Sequence, residues 1–543
     1  MTAATLTAAP AAGKLPPAGS AVGRLAVRQL RRGALIVTVI CAGMSALVAA
    51  QYQSAFQGEM SERAVQALAS NPAIRVLFGP AVALDDPGGF TVWRTGTPLM
   101  ILAGVWLMLG AIRITRGEED AGRWDFLLAG RLRTVDAVLR CLAAVVGAAV
   151  MIGLATGAAL VAAGTEPTGA AVYAIGVLGV TATFGAVGLA AAQLMPSRPS
   201  AVGAAVGVLG VAVLLRMVAD GIDALSFAAW LTPFGLISRA APYADNRVLP
   251  LMVLALLAAA AGAVAVAGAR GRDVGGGWIA IRSRRAPRTH LLGSVGGFAV
   301  RRAIRPTLGW IVGIGAYFVV VGAMIASVLD FFAQNPRFAE LAAAAGVGGL
   351  DTATGFAAAL FGLLAIPAGL YAATRLAAMV ADERDGRSTL VLAAPVSRTR
   401  LLGVEIAVAV AGVLTLHAVA AVAMWVGTVF TGAPLRFADA LAGALNTAPV
   451  SGLALGAAAL AVGWTPGAVT AVGAVPVVGG FLLNVVADSV GAPDWVSNAS
   501  PFVHVAATPA AAPNWTATAV FVAVAAALSA VGIGGYRRRD TSG

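Results

Sequence analysis

The chain has 543 residues, 59% hydrophobic and 11% charged, with a mean hydropathy of +0.86. Soluble domains carry about 25% charged residues, so a water-soluble fold is excluded, and the long uncharged runs along the whole chain mark a polytopic membrane protein. The formal charge of +12 does not point to nucleic acid, because the basic residues sit in short clusters between apolar runs, where the positive-inside rule places them.

In chain order, residues 1–20 are rich in Ala, Pro and Gly and are expected to lack fixed structure. Spans of about 20 apolar residues follow near 33–52, 95–112, 141–163, 171–194, 200–219 and 249–269. A second series lies near 309–329, 355–374, 406–430, 440–463, 467–487 and 515–535. The 440–487 stretch is too long for one span, and Trp464-Thr465-Pro466-Gly467 supplies the dividing turn. Placing the N-terminus in the cytoplasm puts most of the 37 basic residues inside, with both termini cytoplasmic. Arg24, Arg28, Arg31 and Arg32, and again Arg301, Arg302 and Arg305, are spaced to form one basic helix face, or serve as simple topology signals.

The two series are repeats. Ala26-Val27-Arg28 recurs as Ala299-Val300-Arg301, and Asn71-Pro72 as Asn335-Pro336. Val218-Ala219-Asp220 recurs as Val486-Ala487-Asp488, and Pro233-Phe234 as Pro501-Phe502. Both halves start in the cytoplasm, so they are parallel six-span repeats, with a path expected between them. The expected organisation is a cytoplasmic segment with a basic helix (1–32), a six-span half (33–270), a basic linker (271–308), a second six-span half (309–536) and a short tail (537–543).

The most informative repeat is a loop. Glu118-Glu119-Asp120-Ala121-Gly122-Arg123 precedes Trp124, Asp125 and the apolar Phe126-Leu127-Leu128; 264 positions later, Asp382-Glu383-Arg384-Asp385-Gly386-Arg387 precedes Leu390-Val391-Leu392 and Pro395. An acidic opening favours a helix start through the macrodipole, and charge returns too soon for a span. An apolar patch rimmed by charge suits docking into a groove on another protein; the alternative is a loop helix packed beneath its own bundle.

Several chemistries lack their residues. Lys14, the only lysine, is followed by Leu15, so no G-x-x-x-x-G-K-[ST] phosphate loop is present. His290, His417 and His504 are far apart in sequence, and Cys41 and Cys141 form neither a metal pair nor a disulfide framework. Within or beside the spans, Arg216, Glu405 and His417 are the notable ionisable residues.

The run from Asp382 to Arg400 resembles the coupling-helix loop of ABC-2 type exporter permeases, and the whole chain resembles their fused twelve-span actinobacterial polyketide and tetronasin antibiotic exporters. The resemblance implies a type V, all-α transmembrane permease in the bacterial cell membrane, exporting hydrophobic or amphiphilic compounds. It further implies two copies of a separate nucleotide-binding ATPase, which would hold ATP and Mg, and coupling through Glu118, Glu119, Gly122, Arg123, Leu128, Asp382, Glu383, Gly386, Arg387, Leu392 and Pro395. The first loop departs from the pattern at Arg131, which stands where the second has Pro395. By the same analogy Met100, Trp106, Met108, Phe361, Tyr371, His417 and Phe481 line the substrate path, and segments 220–248 and 488–514 resemble re-entrant elements near the outer gate. A proton-coupled secondary transporter of the major facilitator type shares the twelve spans, but its intramembrane carboxylates are missing.

Overall fold

The computed structural model describes residues 18–52, 75–76, 78–130, 132–279, 290–334, 349–384, 386–387, 395–490 and 492–539. The described residues are helical and include no strand. Among the described residues, eleven helices are long and apolar enough to cross a membrane, and a twelfth apolar stretch, Val469–Asn484, is shorter. The protein is therefore an all-α, multi-pass membrane protein. The chain divides into two compact units, with the boundary at Arg284 and Arg285.

In the first unit the helices are α1 (Ala18–Ala50), α2 (Pro87–Ile112), the short α3 (Arg123–Leu128), α4 (Thr134–Ala162), α5 (Pro167–Leu194), α6 (Arg198–Gly221), the short α7 (Pro233–Ala240) and α8 (Val248–Arg270). Their starts are chemically marked. Asp86 caps α2 by accepting from the Gly88 and Gly89 amides at 2.7 and 3.1 Å, and Glu166 caps α5 through Thr168 and Gly169; Pro follows each cap, where a missing amide costs nothing. Helix α5 is apolar on every side, and its neighbours α2, α4 and α8 bury it.

The basic stretch at 24–32 is helical, with its arginines exposed along one side. It is the opening of α1, with Val22, Ala26, Leu30 and Ala34 buried at intervals of four and Arg24, Arg28, Arg31 and Arg32 exposed. The segment expected to be re-entrant, 220–248, forms a 3-10 turn (Asp223–Leu231) and α7, whose Phe234 is buried and stacked on Phe184 of α5 with centroids 5.3 Å apart.

The second unit comprises α9 (Val295–Gln334), α10 (Ala353–Arg384), α11 (Arg398–Thr431), α12 (Phe437–Asn446), α13 (Ala448–Trp464), α14 (Val469–Ala474), α15 (Gly480–Val490) and α16 (Trp515–Arg538). At 1.5 Å per residue the 40-residue α9 is about 60 Å long, twice a bilayer's apolar thickness. Its basic opening therefore extends beyond the membrane core. The packing repeats that of the first unit: α9 lies on α11 as α1 on α4, α13 on α16 as α5 on α8, and α10 on α13 as α2 on α5. Helices α9 and α11 approach closely because Gly322 and Gly427 face each other's backbones.

Two spans differ from their first-unit counterparts. Span ten is divided into α12 and α13 at Thr447. Span eleven is interrupted by a π turn, Val475–Gly479, at Pro476, which has no amide to donate and would clash inside a regular helix.

Candidate functional site

The loop after span two begins before α2 has fully ended. A π turn, Arg113–Gly117, and one helical turn, Glu118–Asp120, carry the chain from α2 to Gly122, whose φ of 69° is left-handed and favours glycine. That turn sends α3 back against the bundle. Trp124 is 2% exposed and packed among residues of α1 and α4, whereas Phe126 is 86% exposed. Leu127 and Leu128 are half-buried on the same core. The helix thus packs under its own bundle and leaves Phe126 outside.

The acidic opening is not solvated. Glu118 accepts from Arg123 at 2.6 and 2.8 Å and from Gln29 of α1 at 3.1 Å. This bond to the carboxylate holds the Arg123 guanidinium above its ordinary pKa. Glu119 is buried and gripped by Arg272, just beyond α8, through both guanidinium arms at 2.5 and 2.6 Å. It also accepts from the Gly275 amide at 2.6 Å and pairs with Arg116 at 3.2 Å. Arg116 donates in turn to the carbonyls of Ala192, Met195 and Gly276. Buried charges persist only when paired and hydrogen-bonded in this way. The loop after span two is thereby fastened to the ends of spans one, four and six.

The second unit repeats the fastening with its own residues. Asp382 pairs with Arg387 at 3.0 Å and with Arg302 of α9 at 2.6 Å, matching Glu118 with Arg123 and Gln29. Glu383 pairs with Arg539, which follows α16 and also donates to the Val462 carbonyl at 2.6 Å, matching Glu119 with Arg272. Gly386 has φ 71°. Pro395 is exposed, two residues before Ser397 caps α11. Leu390, Val391 and Leu392, expected to dock a partner, lie outside the described residues.

One feature has no first-unit counterpart. Glu405, at the start of α11, is buried and bonded to Arg302 at 3.2 Å and Arg375 at 3.1 Å. The equivalent first-unit positions are Cys141, Gln29 and Ala111.

The residues expected to line a path sit as follows within their own units. Met100 is buried and borders a small cavity of about 40 Å³ with Phe78, Trp93 and Phe234. Trp106 covers Gly33, and Met108 is enclosed against Gly188. Phe361 stacks on Phe318 at 5.5 Å, and Tyr371 shares a hydrogen bond with Thr307 at 2.9 Å while lying against Gly412. His417 is buried and its Nδ1 lies 2.8 Å from the Val413 carbonyl. Phe481 is half-buried, edge-on to Phe502.

Of the residues that secure the loops, sequence marks Arg302 only as part of a basic face and gives Gln29, Arg272 and Arg539 no role in the loops. Gln29 and Arg302 each follow the repeated Ala-Val-Arg by one position, and Arg272 and Arg539 stand 267 positions apart just past the last span of each half. Aligning the repeats through those ends would have found them. Glu405 is marked in sequence as an ionisable residue beside a span, but its partner Arg375, unique to one half, carries no such signal.

A known family accounts for most of the chain. The family described as "Multidrug efflux system permease Rv1217c, C-terminal domain" matches residues 21–270 and 292–537. The multidrug efflux system permease protein Rv1217c of Mycobacterium tuberculosis (strain ATCC 25618 / H37Rv) is 29% identical over 490 residues, covering 88% of this chain and 86% of the relative. The match spans both halves, and the chain belongs to the Rv1217c family of multidrug efflux permeases.

Proposed function

We propose that this permease exports hydrophobic or amphiphilic compounds as the transmembrane component of an ABC exporter, driven by two copies of a separate ATPase that bind the loops after spans two and eight. ATP and Mg belong to that partner. The observation that carries the reading is the paired fastening of the loops. Each loop is tied by its second acidic residue to the end of its half's last span, through Glu119–Arg272 and Glu383–Arg539. A loop held in this way transmits a push from the aqueous side to the spans instead of flexing. The ends clustered around Glu118 and Glu119 belong to spans one, four and six, so one docking event bears on several helices together. Phe126, exposed beside the acidic turn, is the apolar contact offered to the partner.

The test is affinity purification of the full chain from its host membrane with any P-loop ATPase that accompanies it. The expected yield is one permease to two ATPases with vanadate-sensitive hydrolysis. Phe126→Asp and Leu392→Asp should each release the ATPase while membrane insertion is normal. Transport that persists without an ATPase and collapses with the proton gradient overturns the proposal. Orientation is tested separately in a cysteine-free background: Ser61→Cys should be labelled by an impermeant reagent in intact cells and Ser283→Cys should not.

A further inference from the structure

At the arginine-rich end of the first unit, Gln29, Arg113, Gly117, Glu118, Arg123 and Arg198 enclose a cleft of about 360 Å³, within the roughly 300–1,000 Å³ range of small-molecule sites. We propose that this cleft binds the phosphate of an anionic membrane lipid.

Depth is the first argument. Arg113 directly follows the apolar run of span two, Arg198 comes two residues before that of span five, and Gln29 lies one turn before that of span one. Three span ends therefore place the cleft at the level of lipid headgroups.

Charge is the second. Three guanidiniums face one carboxylate, and that carboxylate is already engaged by Arg123 and Gln29. Arg113 spends one arm on the Gln29 carbonyl at 2.7 Å. The Arg198 guanidinium has no hydrogen-bond or ion-pair partner among the described residues; only its backbone amide is used, donating to Asp120 at 2.8 Å. The exposed Arg24, Arg28, Arg31 and Arg32 continue the basic surface along α1. A phosphate diester satisfies such donors while its acyl chains stay beside the exposed Leu35, Ile36 and Val39 of α1.

The second unit supplies the contrast. There Arg302 replaces Gln29 and closes directly on Asp382, and Ala377 and Pro466 stand where Arg113 and Arg198 would be. One site per chain follows.

The experiment reconstitutes the full chain in phosphatidylcholine vesicles with and without phosphatidylglycerol, extracts it, and counts retained phosphatidylglycerol by native mass spectrometry. One tightly held phosphatidylglycerol is expected. Arg113→Ala with Arg198→Ala should weaken its retention about 30-fold, taking the usual contribution of two basic residues at an anionic surface, whereas Arg400→Ala in the second unit should not. Gln29→Arg, which copies the second unit, should close the cleft onto Glu118 and abolish retention without lowering the unfolding temperature, so failure to fold is separated from loss of the site. Three results overturn the proposal: retention unchanged in both variants, equal occupancy by inorganic phosphate, or unchanged lipid retention with loss of the ATPase alone, which would assign the cleft to an acidic surface of that partner.

Discussion

The two units share one scheme for anchoring a loop and fill it with different chemistry. In the first, Glu119 is sealed from solvent with Arg116 and with Arg272, which is 3% exposed; in the second, Glu383 meets Arg539, which is 18% exposed. The second unit has in addition a charged cluster at the start of α11, where buried Glu405 joins Arg302 and Arg375. The position of a charge thus drifted between repeats while its task, tying a loop to span ends, stayed with the same acidic pair. The two halves keep the contacts that tie the loop and differ in the chemistry around them.

The sharpest way to break this comparison is to remove each acid. Glu119→Leu strands two buried guanidiniums, and losing one partner of a buried pair costs about 3–5 kcal/mol. Glu383→Leu leaves a partly solvated arginine that keeps the Val462 carbonyl, so the loss there should be about 1.5–3 kcal/mol, the scale of a charged hydrogen bond. Thermal unfolding of the two purified variants in one detergent measures both. Equal losses would show that burial does not separate the units.

The cluster that only the second unit has gives the next largest effect. Glu405→Leu and Arg375→Leu should each destabilise by about 3 kcal/mol, and the double variant by less than either alone, because no unpaired charge is then left buried. Unfolding of the three variants gives the coupling directly. Additive losses would mean that Arg302 alone satisfies Glu405.

Much of this architecture was legible because membrane spans announce themselves by length and composition. All twelve expected runs coincide with helices, and the repeat spacing correctly paired Gly122 with Gly386 and Glu119 with Glu383. What sequence left hidden has physical causes. The basic segments at 24–32 and 301–305 lie outside the expected spans because charge ends an apolar run, yet helical hydrogen bonding does not stop there, and α1 and α9 run straight through. Leu127 and Leu128 read as an outward patch, but Gly122 reverses the chain and turns Trp124 and both leucines toward the bundle. Partners such as Arg272, 153 residues from Glu119, depend on how helices pack, which no local pattern encodes.

The two left-handed glycines sharpen the comparison from the opposite direction, since here the units should behave alike. Gly122 and Gly386 have φ of 69° and 71°, and a Cβ at such a position costs about 1–2 kcal/mol. Gly122→Ala and Gly386→Ala should therefore lower stability equally, and each Asn variant should be milder, because asparagine tolerates this region better. Unequal losses in thermal unfolding would indicate that one turn is strained by something beyond its backbone angle.

The smallest expected effect concerns the opposite end of the bundle, where the fourth and tenth spans begin on side chains of opposite charge. Glu166 accepts from the Gly169 and Thr168 amides, and those bonds hold its carboxyl below the ordinary glutamate range. Arg436, at the head of α12, instead pairs with Asp439 at 2.8 Å. A carboxyl whose folded pKa is depressed contributes stability above its unfolded value and loses it as pH falls through the folded one. The start of α5 should consequently fray as pH drops below the ordinary glutamate value, read as faster amide hydrogen exchange at Thr168 and Gly169 once the intrinsic pH dependence of exchange is removed. Glu166→Gln should show weaker protection at neutral pH and no such pH-dependent loss, because the amide keeps an acceptor but cannot titrate. If the Glu166→Gln variant and the parent chain exchange identically across that range, the cap is held by Pro167 and packing alone, and the charge at the head of the fourth span has no structural task.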